Sequence, residues 1–434
     1  MKFSLGPCPK TLAYKLMTSV IHRRHWLFLC PCIKLIKTGG CYMLFSIALI
    51  MTLGMFTGWI CKRLRLPSLF GMIITGILLG PHMLNMIDRS ILDISSELRR
   101  IALIIILTRA GLSLDLNDLK KVGRPAILMC FLPACFEMLG MVLLAPRLLG
   151  VSILDAAIMG AVVGAVSPAV IVPKMLKLMD ESYGTEKGIP QLILAGASVD
   201  DVFVIVMFSA FTGLAQGGSV SLSSFATIPL SIASGILAGF LVGYILAKYF
   251  ENVHIRDTAK VIILLSISFL MVSFEDAYSS IIPFASLIAV MGTGIALQQK
   301  RPVVAARLSV KFNKLWVASE VLLFVLVGAT VDLAYVKAAG IASVILIFGV
   351  LLFRMAGVFF CLLKTNLNMK ERFFCMLAYT PKATVQAAIG GIPLSLGLSC
   401  GNIVLTVAVL AILLTAPLGA LAIDSSYQRL LSRS

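Results

Sequence analysis

Thirteen apolar segments, separated only by short polar or Gly/Pro-rich punctuation, limit more than anything else what this chain can fold into. Their approximate limits are 43–60, 67–80, 98–114, 125–145, 153–176, 189–214, 225–249, 259–274, 279–297, 315–334, 338–363, 371–396 and 400–423. A helix of about 20 apolar residues crosses a bilayer, where the backbone must satisfy its own hydrogen bonds. In 434 residues, that many crossings leave no room for a large soluble domain. Charged residues make up 13% of the chain, about half the share a soluble domain carries, and could not cover a water-facing surface of this size. The expected fold is an all-α polytopic membrane protein with the lipid bilayer as its solvent.

The formal charge of +17 would suggest nucleic acid if the chain were soluble. Its distribution gives another reading. If the turns after segments 1, 3, 5, 7, 9 and 11 and the C-terminal tail face the cytoplasm, they and the adjoining segment ends hold 22 Lys and Arg, against 5 at the opposite turns and their segment ends. That is the positive-inside pattern, and it removes the need for a nucleic-acid partner. It sets the start of segment 1 outside and the C-terminus in the cytoplasm. The compact chain, without a signal peptide or long tails, suggests a bacterial inner (plasma) membrane. Residues 1–42 do not fit: they carry seven basic residues and no acid, yet the count leaves them outside. They read as an extension upstream of a working start at Met43, as a cytoplasmic extension making an extra crossing, or as a basic surface segment. The ten cysteines form no C-x-x-C pair and give neither a disulfide framework nor a zinc site.

Three cations, Arg109, Arg354 and Lys382, and three acids, Glu137, Asp200 and Asp201, remain deep in apolar segments. Charges there are costly, pair with one another, and mark ion or proton paths. Two segments look broken: GAVVGAVSPAVIVPK at Pro168 and Pro173, and AYTPKATVQAAIGGIP at Pro381, Gly390, Gly391 and Pro393. Ser167-Pro168 and Thr380-Pro381 are 213 residues apart, and the pattern Leu107, Gly111, Asp115 recurs 217 residues later as Phe324, Gly328, Asp332. Segments 1–6 thus map onto 8–13. The offset of seven is odd, so the second repeat is inserted upside down, with sites expected at midplane beside the broken helices. The same offset brings Glu137 onto Arg354, and an ion pair bridging the two halves is expected.

GAVSPAVIVPKML, GASVDDVFVIV, YTPKATVQAAIG and LTAPLGAL together resemble the NHA branch of the monovalent cation:proton antiporters. The resemblance runs from segment 1 to the tail and implies a homodimer. It implies a core of segments 4–6 and 11–13 (residues 125–214 and 338–423) moving against a dimerisation domain of segments 1–3 and 8–10 (43–114 and 259–334). Segment 7 (225–249) links them, and 424–434 form a short cytoplasmic tail. The family's paired aspartates match Asp200 and Asp201, its helix-11 base matches Arg354, its helix-4 acid matches Glu137, and its crossed broken helices match those around Pro168 and Pro381. Many relatives have Lys where Arg354 stands.

The chemistry follows from residue types. A hard cation such as Na⁺ or Li⁺ wants oxygen ligands, which adjacent carboxylates, Ser167 and backbone carbonyls supply. Neighbours on a helix point about 100° apart, so Asp200 and Asp201 cannot serve one ion equally. Asp201 is expected to be the principal ligand of cation and proton, with Asp200 a second ligand or the partner of a nearby charge. Cation and proton then compete for the same oxygens, which couples their fluxes. Lys382, immediately after the break at Thr380-Pro381 that matches the one at Pro168, is expected to offset the carbonyl ends of the half-helices. An arginine at 354 stays protonated, so one proton per cation and electroneutral exchange are expected. No G-x-x-x-x-G-K-[ST] occurs, the four histidines lie outside the segments, and no cofactor or enzymatic site is implied. The alternatives are a K⁺/H⁺ antiporter and a sodium-coupled organic-anion symporter.

Overall fold

The computed structural model describes residues 43–433 except 65, 115–122, 217–221, 279–281 and 332, so the basic N-terminal stretch lies outside the described residues. Most of them are helical, and nine helices are long and apolar enough to cross a membrane. With numbers following the apolar segments, they are α1 (Met43–Arg63), α2 (Ser68–Leu79), α3 (Ser95–Ser113), α4a (Arg124–Met129) and α4b (Leu132–Leu149). Next come α5a (Ile153–Val163), α5b (Pro168–Asp180), α6 (Ile189–Gln216), α7 (Leu222–Asn252), α8 (Asp257–Tyr278), α9 (Ser286–Lys300) and α10 (Pro302–Ala329). The series closes with α11 (Leu333–Cys361), α12a (Met369–Ala378), α12b (Thr384–Ile389) and α13 (Gly401–Leu430).

Local chemistry explains where these helices start. Capping boxes open α5a at Ser152–Asp155 and α12a at Asn368–Glu371, each satisfying two end amides reciprocally. Prolines stand in the first turn of α4b, α5b and α10, where a missing amide costs nothing. Several outlines differ from the apolar pattern. Helix α10 begins at Pro302, absorbing a basic stretch that reads as a turn, because a helix can continue into water past the apolar span. Helix α13 runs on to Leu430, and the chain after it is tied down where the Gly184 amide donates to the Ser432 carbonyl. Helix 4 is interrupted at Cys130 and Phe131, which the apolar run from 125 does not reveal.

Packing follows the internal repeat. Helix α2 lies on α10, and its repeat image α9 lies on α3. A Cβ at Gly76 would enter the Val325 carbonyl and one at Gly328 the Ile73 carbonyl, so backbone meets backbone. In the image contact, Gly294 abuts Gly111 and Leu112, and Gly111 abuts the Met291 carbonyl. Gly76 and Gly294 are 218 residues apart, Gly111 and Gly328 are 217, so one glycine contact occurs twice. Small residues let apolar helices approach this closely, which matters where lipid offers no hydrophobic drive for association. Helices α4b and α11 pack on each other at the symmetry element itself: Gly140 receives the Phe353 ring, and Gly357 receives Phe136.

The helices gather into two groups, α1–α3 with α8–α10 and α4–α6 with α11–α13. The groups meet where α12b touches α3 and α10 and where α6 touches α9, along a seam that includes Leu107, Ile205, Leu287 and Ile288. Helix α7 runs along α9 with Gly235, Gly239 and Gly243 facing carbonyls of Ala285, Ala289 and Thr293.

Candidate functional site

The two broken helices cross at the middle of the second group. Between α5a and α5b the chain is extended at Ser167, and between α12a and α12b it leaves helical geometry from Thr380 to Ala383. The strands touch where the Ser167 amide donates to the Pro381 carbonyl at 2.8 Å. Pro168 and Pro381 thus sit at the crossing, one starting a half-helix and one providing the acceptor. Backbone polar groups freed in this way must find partners inside the protein. Gly164 O accepts from Nη1 of Arg354, and the Val166 amide donates to Oδ2 of Asp200 at 3.0 Å. Val163 O and Ala165 O accept from Nε2 of Gln386 at 3.1 and 2.9 Å. On the other strand, Arg354 Nε donates to Tyr379 O at 2.7 Å, and the Lys382 amide donates to the Thr415 hydroxyl at 2.9 Å.

Around the crossing runs a ladder of four buried charges. Asp200 Oδ2 is 2.6 Å from Nη2 of Arg354, Arg354 Nη1 is 2.7 Å from Oε2 of Glu137, and Lys382 Nζ is 2.5 Å from the same Oε2. All four side chains are fully buried. Fully ionised, they sum to zero. Each charge faces an opposite one, the arrangement that makes ions tolerable away from water.

Asp201 stands apart from this compensation. It is buried on α6, 8% exposed, and pairs with no cation among the described residues. Among the described residues its Oδ1 has no hydrogen-bond partner, and the same holds for Asp200 Oδ1, Ser167 Oγ, Thr384 Oγ1 and Gln386 Oε1. Carboxylate and hydroxyl oxygens of this kind are the donor type a hard cation takes.

Of the expected residues, Glu137, Arg354, Asp200 and Lys382 are joined by ion pairs, and Ser167 meets Pro381 through its amide. Glu137 and Arg354 are paired. Asp200 gives one oxygen to Arg354, so only its other oxygen is open to an ion. Lys382 meets a carboxylate, that of Glu137. Thr380 compensates no charge: its hydroxyl donates to the Leu377 carbonyl of its own helix at 2.8 Å. Arg109 lies away from the site and attracts Glu320 across the α3–α10 contact. Gln386 and Arg99 join the expected residues. Gln386 is the one amide side chain in the apolar run just after the break, which is its signal in the sequence. Arg99, 5% exposed on α3, presses its guanidinium against Gly391 beyond the end of α12b, with Nη1 unpartnered among the described residues.

Comparison with known proteins gives a consistent result. The family profile described as "Sodium/hydrogen exchanger, transmembrane" matches residues 46–424. Human sodium/hydrogen exchanger 9B2 is 34% identical over 387 residues, covering 85% of this chain and 70% of that protein. Human sodium/hydrogen exchanger 9B1 is 30% identical over 410 residues, covering 90% and 78%. Among solved structures, the sodium proton antiporter MjNhaP1 from Methanocaldococcus jannaschii at pH 8 superposes with a TM-score of 0.79 at 20% identity, over 89% of this chain and 98% of that one. At that identity the likeness is one of fold.

Proposed function

The chain belongs to the sodium/hydrogen exchanger family, and from that premise we propose that it carries Na⁺ or Li⁺ in one direction and H⁺ in the other by alternating access, both ions contending for Asp201. The observation that carries this reading is the division of the buried charges. Asp200, Arg354, Glu137 and Lys382 neutralise one another, and among the buried acids of the described residues Asp201 is left without a cation. Occupied by a proton or by a metal ion, the site is neutral and can cross. Empty, it carries an uncompensated charge whose desolvation opposes the crossing. Asp200 Oδ1 and Ser167 Oγ are the further oxygens we assign to the cation.

The moving part we infer is residues 125–214 and 338–423, sliding on a frame of 43–114 and 259–334 with 225–249 as the link. The apolar seam supports this, since it has few polar contacts to break. The frame would hold a homodimer through α1, whose Leu44, Met55, Phe56 and Trp59 are exposed. The protein is a multi-pass membrane protein. We keep the orientation given by the basic turns, with a cytoplasmic C-terminus. The bacterial plasma membrane expected from the compact chain has no support from the human relatives and is not carried further.

The test is cation-driven proton release from proteoliposomes, with Na⁺, Li⁺ and K⁺ added in turn. Wild-type protein releases protons with Na⁺ or Li⁺, and Asp201→Asn, still monodisperse, does not. Retained release by that variant refutes the assignment. Release driven by K⁺ alone makes the protein a K⁺/H⁺ antiporter, and Na⁺-dependent uptake of a labelled organic anion makes it a symporter.

A further inference from the structure

Five backbone groups of residues 163–167 are held from two directions. Arg354 and Asp200 take Gly164 O and the Val166 amide, and Pro381 takes the Ser167 amide. From α12b, a single side chain takes the other two: both N–H bonds of Gln386 go to carbonyls, Val163 O at 3.1 Å and Ala165 O at 2.9 Å. Gln386 is 1% exposed, and its Oε1 has no partner among the described residues. Its amide therefore clamps the broken stretch of helix 5 against the broken stretch of helix 12. The stretch it clamps is the one that presents the Val166 amide to Asp200 and the Ser167 hydroxyl to the crossing.

We propose that Gln386 is a positioning residue that fixes the spacing of the oxygen cage around Asp201 and so sets which alkali cation the exchanger prefers. It acts through the backbone of 163–167 rather than by touching the ion. Selectivity among hard cations is a matter of cavity size and ligand rigidity, and Li⁺, the smallest, depends most on a tight cage. Groups that orient metal ligands from behind typically govern affinity by 10–100-fold. The inference rests on the exchange reading above.

The experiment compares wild-type, Gln386→Met and Gln386→Asn proteins in proteoliposomes, reading KM and kcat for Li⁺, Na⁺ and K⁺ over a pH series. Met keeps the volume and removes both donors; Asn keeps an amide one methylene shorter. Gln386→Met is expected to raise the KM for Li⁺ about tenfold and that for Na⁺ less, with K⁺ unaffected, kcat near wild type and an unmoved pH profile. Gln386→Asn is expected to fall between. An unchanged Li⁺/Na⁺ ratio of KM values overturns the proposal, as does one common loss for all three ions through kcat. If Gln386→Met does not fold, the ratio in Gln386→Asn decides alone. A wild-type protein that exchanges no cation overturns the exchange reading and this one with it. Normal exchange with unaltered selectivity in the variants overturns only this one.

Discussion

Each ion of the ladder costs several kcal/mol to take out of water, and its neighbours repay that cost only together. Glu137 holds two cations through one oxygen, so Glu137→Gln leaves Arg354 and Lys382 crowded with Asp200 as the remaining anion. The expected loss is about 3–5 kcal/mol, read as a lower unfolding temperature in detergent. Adding Lys382→Gln to Glu137→Gln should restore part of it; strict additivity of the two changes would show that they do not interact. Asp201 predicts a different observable. Because protons compete with the cation for it, the apparent KM for Na⁺ should fall as pH rises, which a Na⁺ titration at several pH values checks. Single residues were legible in the sequence to the extent that symmetry fixed them. Glu137 and Arg354 share a repeat position, 217 residues apart, and that was enough to pair them. Nothing in chain order says which way a buried side chain points, so the contacts of Lys382 with Glu137 and of Arg354 with Asp200 were not readable.

At the scale of helices, breaks announced themselves where proline stood inside an apolar run. Pro168 and Pro381 did so, and α5 and α12 part there. Helix 4 was the exception: Pro133 also stands inside its apolar run, but a membrane proline is as compatible with a simple kink as with the interruption at 130–131. The short, glycine-rich α2 was readable as a helix, yet its reason became visible only in packing. Its Gly76 lies on the Val325 carbonyl, so Gly76→Val should wedge α2 from α10 and cost about 1–3 kcal/mol. Gly294→Val, at the image contact, should cost a similar amount. Gly213 has open space around its missing Cβ, so Gly213→Ala in α6 should lose no stability. Thermal unfolding of the three variants in one detergent separates these outcomes.

For the molecule as a whole, hydropathy and the internal repeat gave the architecture, since both are properties of long stretches that no single contact can override. The depth of the seam between the two groups was not readable, because apolar residues facing lipid and apolar residues facing a neighbour look alike. Electroneutral exchange is the prediction that belongs here. Turnover in vesicles should be the same with and without an imposed membrane potential, and a dependence on voltage would show that a second group exchanges its proton. The four-charge ladder then bounds what the exchanger can achieve. If exchange is electroneutral, a body uncharged with either passenger aboard does no electrical work, and the steepest sodium ratio it would sustain is the acid ratio that drives it.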